Sequence, residues 1–117
     1  MSRPSPSPSS PSSPPGTPVN RLVIYRPKPG KLAELEAIVK QHGSVLRKVG
    51  LITDDPVRVY RGTDLRKPDG AFLVESFHWR DGSAADLAHQ TPEVMAVWET
   101  MGPHLDDMTL ITLDAVD

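Results

Sequence analysis

Hydrophobic and polar positions along this chain alternate with a period of two in three places, and a fourth segment is rich in apolar and β-branched residues; each of the four is predicted to be a β-strand. The four segments are 20–26, 57–61, 72–80 and 108–116. Between the second and third of them, residues 62–70 (GTDLRKPDG) are rich in turn formers and charge, which is typical of a hairpin loop. The pattern therefore predicts four strands, with the middle two joined as a hairpin.

Elsewhere the apolar residues recur at helical spacing. Residues 31–49 carry one apolar stripe opposite a charged one, which predicts a long amphipathic helix closed by Gly50. Ser83 has the chemistry of a helix N-cap, and a short helix to about Gln90 is expected. Thr91 followed by proline predicts a second start and a helix that ends near Gly102.

The order of elements is strand, helix, strand, strand, helix pair, strand. That order is typical of an α+β, ferredoxin-like βαββαβ domain, in which a four-stranded antiparallel sheet carries its helices on one face. We therefore expect residues 19–117 to form a single domain of this kind.

Helices on one face leave the other face of the sheet uncovered. The side chains predicted to face the helices are Leu22, Ile24, Val57, Val59, Phe72, Val74 and Leu110. The side chains predicted to lie on the open face are Val23, Tyr25, Arg58, Tyr60, Leu73, Glu75, Phe77 and Trp79. Such a face is too apolar to remain in water, so we expect a second copy of the chain to pack against it as a homodimer that encloses a pocket.

Residues 1–18 differ in composition from all that follows. They are almost entirely Ser and Pro, without large apolar side chains after Met1 whose burial would offset the entropy of ordering. We expect a disordered tail, with a proline-rich recognition segment as the alternative.

The composition and net charge of the chain argue against several classes of binding partner. The net charge is -2 and no basic stripe is interleaved with aromatics, so a nucleic-acid partner is not expected. Cysteine is absent, which removes disulfides and thiolate chemistry and is compatible with a reducing compartment. No apolar run reaches membrane-spanning length and no secretory signal is recognisable, so no membrane partner is expected and the predicted location is the cytoplasm.

Three runs of residues carry a family resemblance: Glu75-Ser-Phe-His-Trp79, Ala88-His89-Gln90-x-Pro92 and Val94-Met-Ala-Val-Trp98-Glu99. Together with Arg26–Lys31 they resemble the dimeric α/β-barrel superfamily, and within it the small proteins akin to the antibiotic biosynthesis monooxygenase domain. The resemblance extends over about 20–116. It implies a dimeric barrel, and it covers cofactor-free oxygenases of aromatic quinol-type substrates, haem-degrading enzymes and proteins without a known reaction.

The resemblance points to Glu75 and His89 as catalytic residues, because they match the strand acid and the Ala-His step of the family pattern. The candidate substrate-binding residues are Tyr25, Arg58, Tyr60, Phe77 and Trp79. Each catalytic candidate has an alternative role. Glu75 would pair with Arg58 or Arg61 across the sheet, and His89 would bond free carbonyls at a helix end.

The remaining histidines and the motifs suggest no metal or cofactor. His42 lies on the apolar stripe of the long helix, where a structural role is expected, and Trp98 is expected in the core. His78, His89 and His104 match no metal-ligand spacing, the haem-degrading pattern is not matched, and no phosphate-binding loop follows a strand. The sequence thus predicts a homodimeric barrel with a pocket for a small apolar or aromatic molecule. It is either a cofactor-independent monooxygenase or a non-catalytic ligand-binding or structural protein.

Overall fold

The computed structural model describes residues 17–116. Of the tail predicted over residues 1–18, residues 1–16 lie outside that range, as does the last residue of the chain. The elements follow the predicted order. The strands are β1 (Val19–Pro27), β2 (Arg58–Asp64), β3 (Lys67–Trp79) and β4 (Leu105–Leu113). The helices are α1 (Leu32–Lys48), α2 (Ala84–Ala88) and α3 (Pro92–Met101), and a short 3₁₀ turn (Gly102–His104) leads into β4.

The four strands form one sheet in the order β2-β3-β1-β4, and every neighbouring pair is antiparallel. This order places the hairpin strand β3 beside β1, because α1 crosses the sheet and returns the chain two strands away. The core lies between the sheet and the helices, where Leu35, Val39 and Leu46 of α1 and Val94 of α3 are completely buried. The predicted fold class, a ferredoxin-like α+β domain with a four-stranded antiparallel sheet, is confirmed. Among the described residues, no helix is both long enough and apolar enough to span a membrane.

The predicted facing of side chains is right for the two edge strands and wrong for the two central ones. The central-strand residues that are buried against the helices are Val23, Tyr25, Leu73, Glu75, Phe77 and Trp79. Those that turn to the open face are Leu22, Ile24, Phe72 and Val74. In β2 and β4, Val59 and Leu110 share the helix-facing side with Glu75 and Val23, as predicted. The central strands are apolar on both faces, so hydrophobicity alone did not distinguish the two sides.

The hairpin between β2 and β3 is tighter than predicted. Its turn consists of Leu65 and Arg66 alone, and β3 runs for 13 residues. β1 pairs with β3 only from Leu73 to Trp79, so the first part of β3 is bonded to β2 on one side. Pro68 is tolerated there because that part of the strand has a free edge.

Candidate functional site

Four polar side chains from four elements meet beneath the helices and form one hydrogen-bonded chain. Glu75 of β3 is completely buried at its centre. Tyr25 of β1 donates its hydroxyl proton to Glu75 Oε1 at 2.6 Å. His42 of α1 places Nδ1 at 3.1 Å from Oε1 and 3.0 Å from Oε2. Trp98 of α3 donates its indole N–H to His42 Nε2 at 3.0 Å.

The donor from Trp98 assigns the protonation of the histidine. An indole N–H can only donate, so His42 Nε2 must offer a lone pair. The ring proton is therefore on Nδ1, where it is donated to Glu75, and we assign His42 as neutral and Glu75 as ionised. The carboxylate thus accepts hydrogen bonds from two sides, which satisfies a charge that would otherwise be costly to bury.

Tyr25 is held in its neutral form by this arrangement. Burial, the neighbouring charge of Glu75 and the hydrogen bond to it raise the pKa of Tyr25 well above its usual value. The hydroxyl is consequently a proton donor to Glu75 that can pass its proton on without becoming a stable tyrosinate.

A cavity of about 200 Å³ opens next to this chain, between the sheet and helices α2 and α3. Its walls are mostly apolar. The lining residues are Arg21, Val23, Tyr25, His42, Phe77, Trp79, Ala85, His89, Trp98, Met101, Gly102, Leu105, Met108 and Leu110. Glu75 is absent from this lining, because Tyr25 and His42 stand between its carboxylate and the cavity.

Two donors in the wall of the cavity have no acceptor. The Nε of Arg21 and the Nε1 of Trp79 are buried and make no hydrogen bond with any described residue. Burial also lowers the pKa of the Arg21 guanidinium. Trp79 is only 5% exposed and packs edge to face on Phe77, with 4.9 Å between ring centroids.

His89 lies on the outer side of the same cavity. It is the residue that follows α2, its side chain is exposed, and its ring centroid is 4.8 Å from that of Trp98. A histidine in this position contacts both the cavity and bulk water.

The structure brings together five of the seven residues singled out from the sequence. Tyr25, Phe77, Trp79 and His89 line the cavity, and Glu75 lies directly behind it. The other two, Arg58 and Tyr60, lie on the open face of the sheet, across from Ser76 and Val74. The alternative in which Glu75 pairs with Arg58 or Arg61 is wrong, since Glu75 bonds Tyr25 and His42. Arg61 instead pairs with Glu36 at 2.6 Å.

Sequence reasoning missed the part that His42 plays. A histidine on the apolar stripe of α1 must point at the sheet, and Glu75 is the acidic residue on the facing strand. This pairing stayed hidden because Glu75 was assigned to the opposite face. Arg21 was also missed, since one arginine in an apolar strand gives no periodic signal.

The other two histidines take no part in the site. His78 lies on the open face with Nδ1 at 3.6 Å from Asp55 Oδ2, and His104 contacts the backbone oxygen of Thr100 at 3.2 Å. Across residues 17–116 there is no group of three or more His, Cys, Asp or Glu side chains arranged to hold a metal ion.

Solved structures of other proteins have the same fold. An antibiotic biosynthesis monooxygenase aligns with a TM-score of 0.64 and 20% identity, over 85% of this chain and 99% of its own. A putative antibiotic biosynthesis monooxygenase from Bacteroides thetaiotaomicron gives 0.61 and 18%, over 86% and 91%. The At3g17210 protein from Arabidopsis thaliana gives 0.68 and 13%, over 86% and 97%. No protein-family model matches this sequence, and no curated protein matches it significantly.

These similarities confirm, at the level of fold, the resemblance found in the sequence. The chain has the ferredoxin-like fold of the antibiotic biosynthesis monooxygenase-like proteins. The covered face of its sheet carries an apolar cavity, a neutral tyrosine at the cavity wall and a buried carboxylate behind that tyrosine. Such a site can hold a small apolar molecule and exchange a proton with it.

Proposed function

We propose that this protein binds a small, largely apolar or aromatic molecule in the cavity between sheet and helices and acts on it as a cofactor-independent monooxygenase. The observation that carries this proposal is the contact between the apolar cavity and the chain of Tyr25, Glu75 and His42. A purely structural core would gain more from apolar side chains of the same volume than from a buried carboxylate.

The chemistry needs a substrate that becomes electron-rich when it loses a proton. The enol form of an anthrone is such a phenol, because loss of its hydroxyl proton places negative charge on the ring carbon para to the oxygen. Oxygen then adds at that carbon. One oxygen atom remains there as a new carbonyl group, and the other leaves as water with the hydrogen of that carbon and the proton lost from the hydroxyl, so the substrate itself supplies the electrons.

The first step is proton removal, and the site offers two routes for it. In the inner route the substrate hydroxyl gives its proton to the Tyr25 oxygen while Tyr25 gives its own to Glu75. In the outer route His89 takes the proton directly and releases it to water. His42 is a positioning residue in this scheme, because both of its nitrogens are engaged by Glu75 and Trp98.

Oxygen uptake with anthrone-type phenols tests the proposal. We expect turnover by the wild-type protein, and a decrease of about 100-fold or more in kcat for Glu75→Gln if the inner route operates. The same loss in His89→Gln would assign the outer route. Glu93→Gln and His78→Gln are matched controls, because both residues lie away from the cavity. Uptake no faster than in buffer would rule out the oxygenase; if a ligand still binds, the protein is a non-catalytic binding module.

The protein is further proposed to be a homodimer through the open face of the sheet. The correction of the central strands changes the residues involved but leaves the face apolar. Leu22, Ile24, Phe72 and Val74 are half-buried there, and Tyr60 is 53% exposed. Sedimentation should give twice the chain mass of 12.8 kDa, and a species of 12.8 kDa at micromolar concentration would contradict the dimer.

A further inference from the structure

The strongest unexplained feature of the cavity is its pair of unused donors. Arg21 and Trp79 belong to the neighbouring strands β1 and β3. In the register, Arg21 lies opposite Phe77, and Trp79 is two residues further along the same face. Both side chains line the cavity, and the Nε and Nε1 donors are buried without an acceptor among the described residues.

Unused buried donors are costly. A buried N–H left without an acceptor has given up its hydrogen bond to water without replacing it, and the cost is greater when the group is charged. Buried groups in native proteins are therefore nearly always bonded, and an exception calls for an explanation. In a wall that is mostly apolar, two such exceptions on neighbouring strands point to an acceptor that arrives with a ligand.

The charge of Arg21 specifies the kind of acceptor. No carboxylate among the described residues lies within ion-pair distance of its guanidinium, whereas the nearby Glu75 is occupied by Tyr25 and His42. Arginine stays protonated at all ordinary pH values, so the cavity wall carries a fixed positive charge without a partner. A neutral ligand would leave that charge uncompensated.

We infer that the cavity takes an aromatic organic anion, whose charged oxygen binds Arg21 and the Trp79 indole N–H while its ring fills the apolar part. This inference rests on the proposed function, because it names the ligand class of the same cavity. A carboxylate and a phenolate share the required chemistry. For the proposed reaction, the phenolate formed by proton loss would be stabilised by a donor pair that is already in place.

Pairs of ligands that share a ring system and differ in charge test whether the cavity prefers anions. For the carboxylate we choose 2-naphthoate against 2-naphthylmethanol, and for the phenolate 4-nitrophenolate at mildly alkaline pH against 4-nitroanisole. In calorimetric titrations each anion should bind wild-type protein about 10- to 100-fold more tightly than its neutral partner. Both tryptophans of the chain line the cavity, so binding there must also change the indole fluorescence.

Arg21→Met removes the charge and keeps the length of the stem. It should abolish the preference for the anions, while Arg66→Met, at an exposed position in the hairpin turn, should retain it. Trp79→Phe keeps an aromatic ring but removes the donor. Trp79→Phe therefore tests the proposed anion site even if Arg21→Met fails to fold. We expect this variant to bind the anions about 3- to 10-fold more weakly and the neutral partners as well as the wild type does.

The outcomes separate this inference from the proposed function. If neutral and anionic ligands bind equally well and Arg21→Met changes nothing, the cavity binds aromatics but the anion inference is wrong. Anion binding that leaves the indole fluorescence unchanged would place the anion outside the cavity and would also overturn it. If neither member of either pair binds, both the ligand-binding cavity and the anion inference fail.

Discussion

Two adjacent rows of residues cross the sheet, and they differ by a single position in every strand. On the helix side the row is Val59, Glu75, Val23 and Leu110. On the open side it is Tyr60, Val74, Ile24 and Thr109. The first row has a charged residue at its most buried point, and the second has aliphatic residues at its centre and polar groups at its ends.

The contrast between the two rows indicates how each face of the sheet should be interpreted. A carboxylate is kept in the interior only if donors surround it, so the helix side is built for chemistry or for positioning. Aliphatic side chains on an uncovered sheet favour a covering partner, so the open side is where the proposed dimer would form. The next three predictions test this difference, beginning with the largest expected effect.

Placing a charge at the centre of the open row should have the largest effect. In the proposed dimer, Val74→Glu would bury two carboxylates at one interface, and we expect the dissociation constant to rise by at least about 100-fold. Sedimentation would show a mass of 12.8 kDa with unchanged circular dichroism. Ala96→Glu, on the exposed side of α3, introduces the same charge and should leave the dimer intact. If Val74→Glu still sediments as a dimer, the open face is not the interface.

Neutralising the centre of the helix-side row should cost about 1–3 kcal/mol of unfolding free energy. In Glu75→Gln the amide oxygen can accept from Tyr25, but the amide NH₂ then meets the Nδ1–H of His42. His42 cannot move its proton to Nε2, because Trp98 already donates there. The acceptor at the Oε2 position, 3.0 Å from Nδ1, is therefore lost and a donor takes its place, and denaturant unfolding would measure the cost.

A double-mutant cycle sharpens this prediction. Trp98→Phe frees His42 Nε2, so the ring proton can move and Nδ1 can accept from the amide NH₂ that the substitution Glu75→Gln introduces. We therefore expect Glu75→Gln to cost less in the Trp98→Phe background than in the wild type. Simple additivity of the two substitutions would show that the tautomer assignment is wrong.

The two tyrosines, one on each face, allow a smaller test through pH. The pKa of Tyr25 is raised above its ordinary value of 10.0 by burial and by Glu75. Between the ordinary and the raised value the unfolded chain has lost this proton and the folded chain has kept it. The contribution of Tyr25 is therefore complete below that window and is lost as the pH rises through it, by up to about 1.4 kcal/mol per pH unit.

Denaturant unfolding across the alkaline range would measure this loss. The part due to Tyr25 should disappear in Tyr25→Phe and persist in Tyr60→Phe, whose site is on the open face. Identical alkaline slopes in the wild type and Tyr25→Phe would contradict the raised pKa.

The order of elements was predictable because each is marked locally, by period, proline or glycine. Which side of the central strands faces the helices was not predictable, because β1 has Leu22 and Ile24 on one side and Val23 and Tyr25 on the other. Hydrogen bonding decides which side faces the helices, because only on that side does Glu75 have both Tyr25 and His42 as partners. A buried acid and a histidine on an apolar helix stripe are each ambiguous alone, but as a pair they fix the side of the sheet.

The site residues were predictable to the same extent. Tyr25, Phe77 and Trp79 were singled out by residue type and alternation and His89 by the family resemblance, and all four line the cavity. Arg58 and Tyr60 were placed with Glu75 only through the mistaken facing of β3. The unused donors of Arg21 and Trp79 follow from three-dimensional packing, which no spacing in the sequence encodes.

The 13 residues of β3 have a dynamic consequence. From Leu73 to Ser76 the strand lies between β1 and β2, whereas its earlier part pairs with β2 alone. Opening the earlier part breaks one ladder and exposes no core side chain, so it is a low-cost local fluctuation. Amide hydrogen exchange should therefore divide this one strand in two, with protection factors that rise steeply at Leu73, where the wall of the core begins.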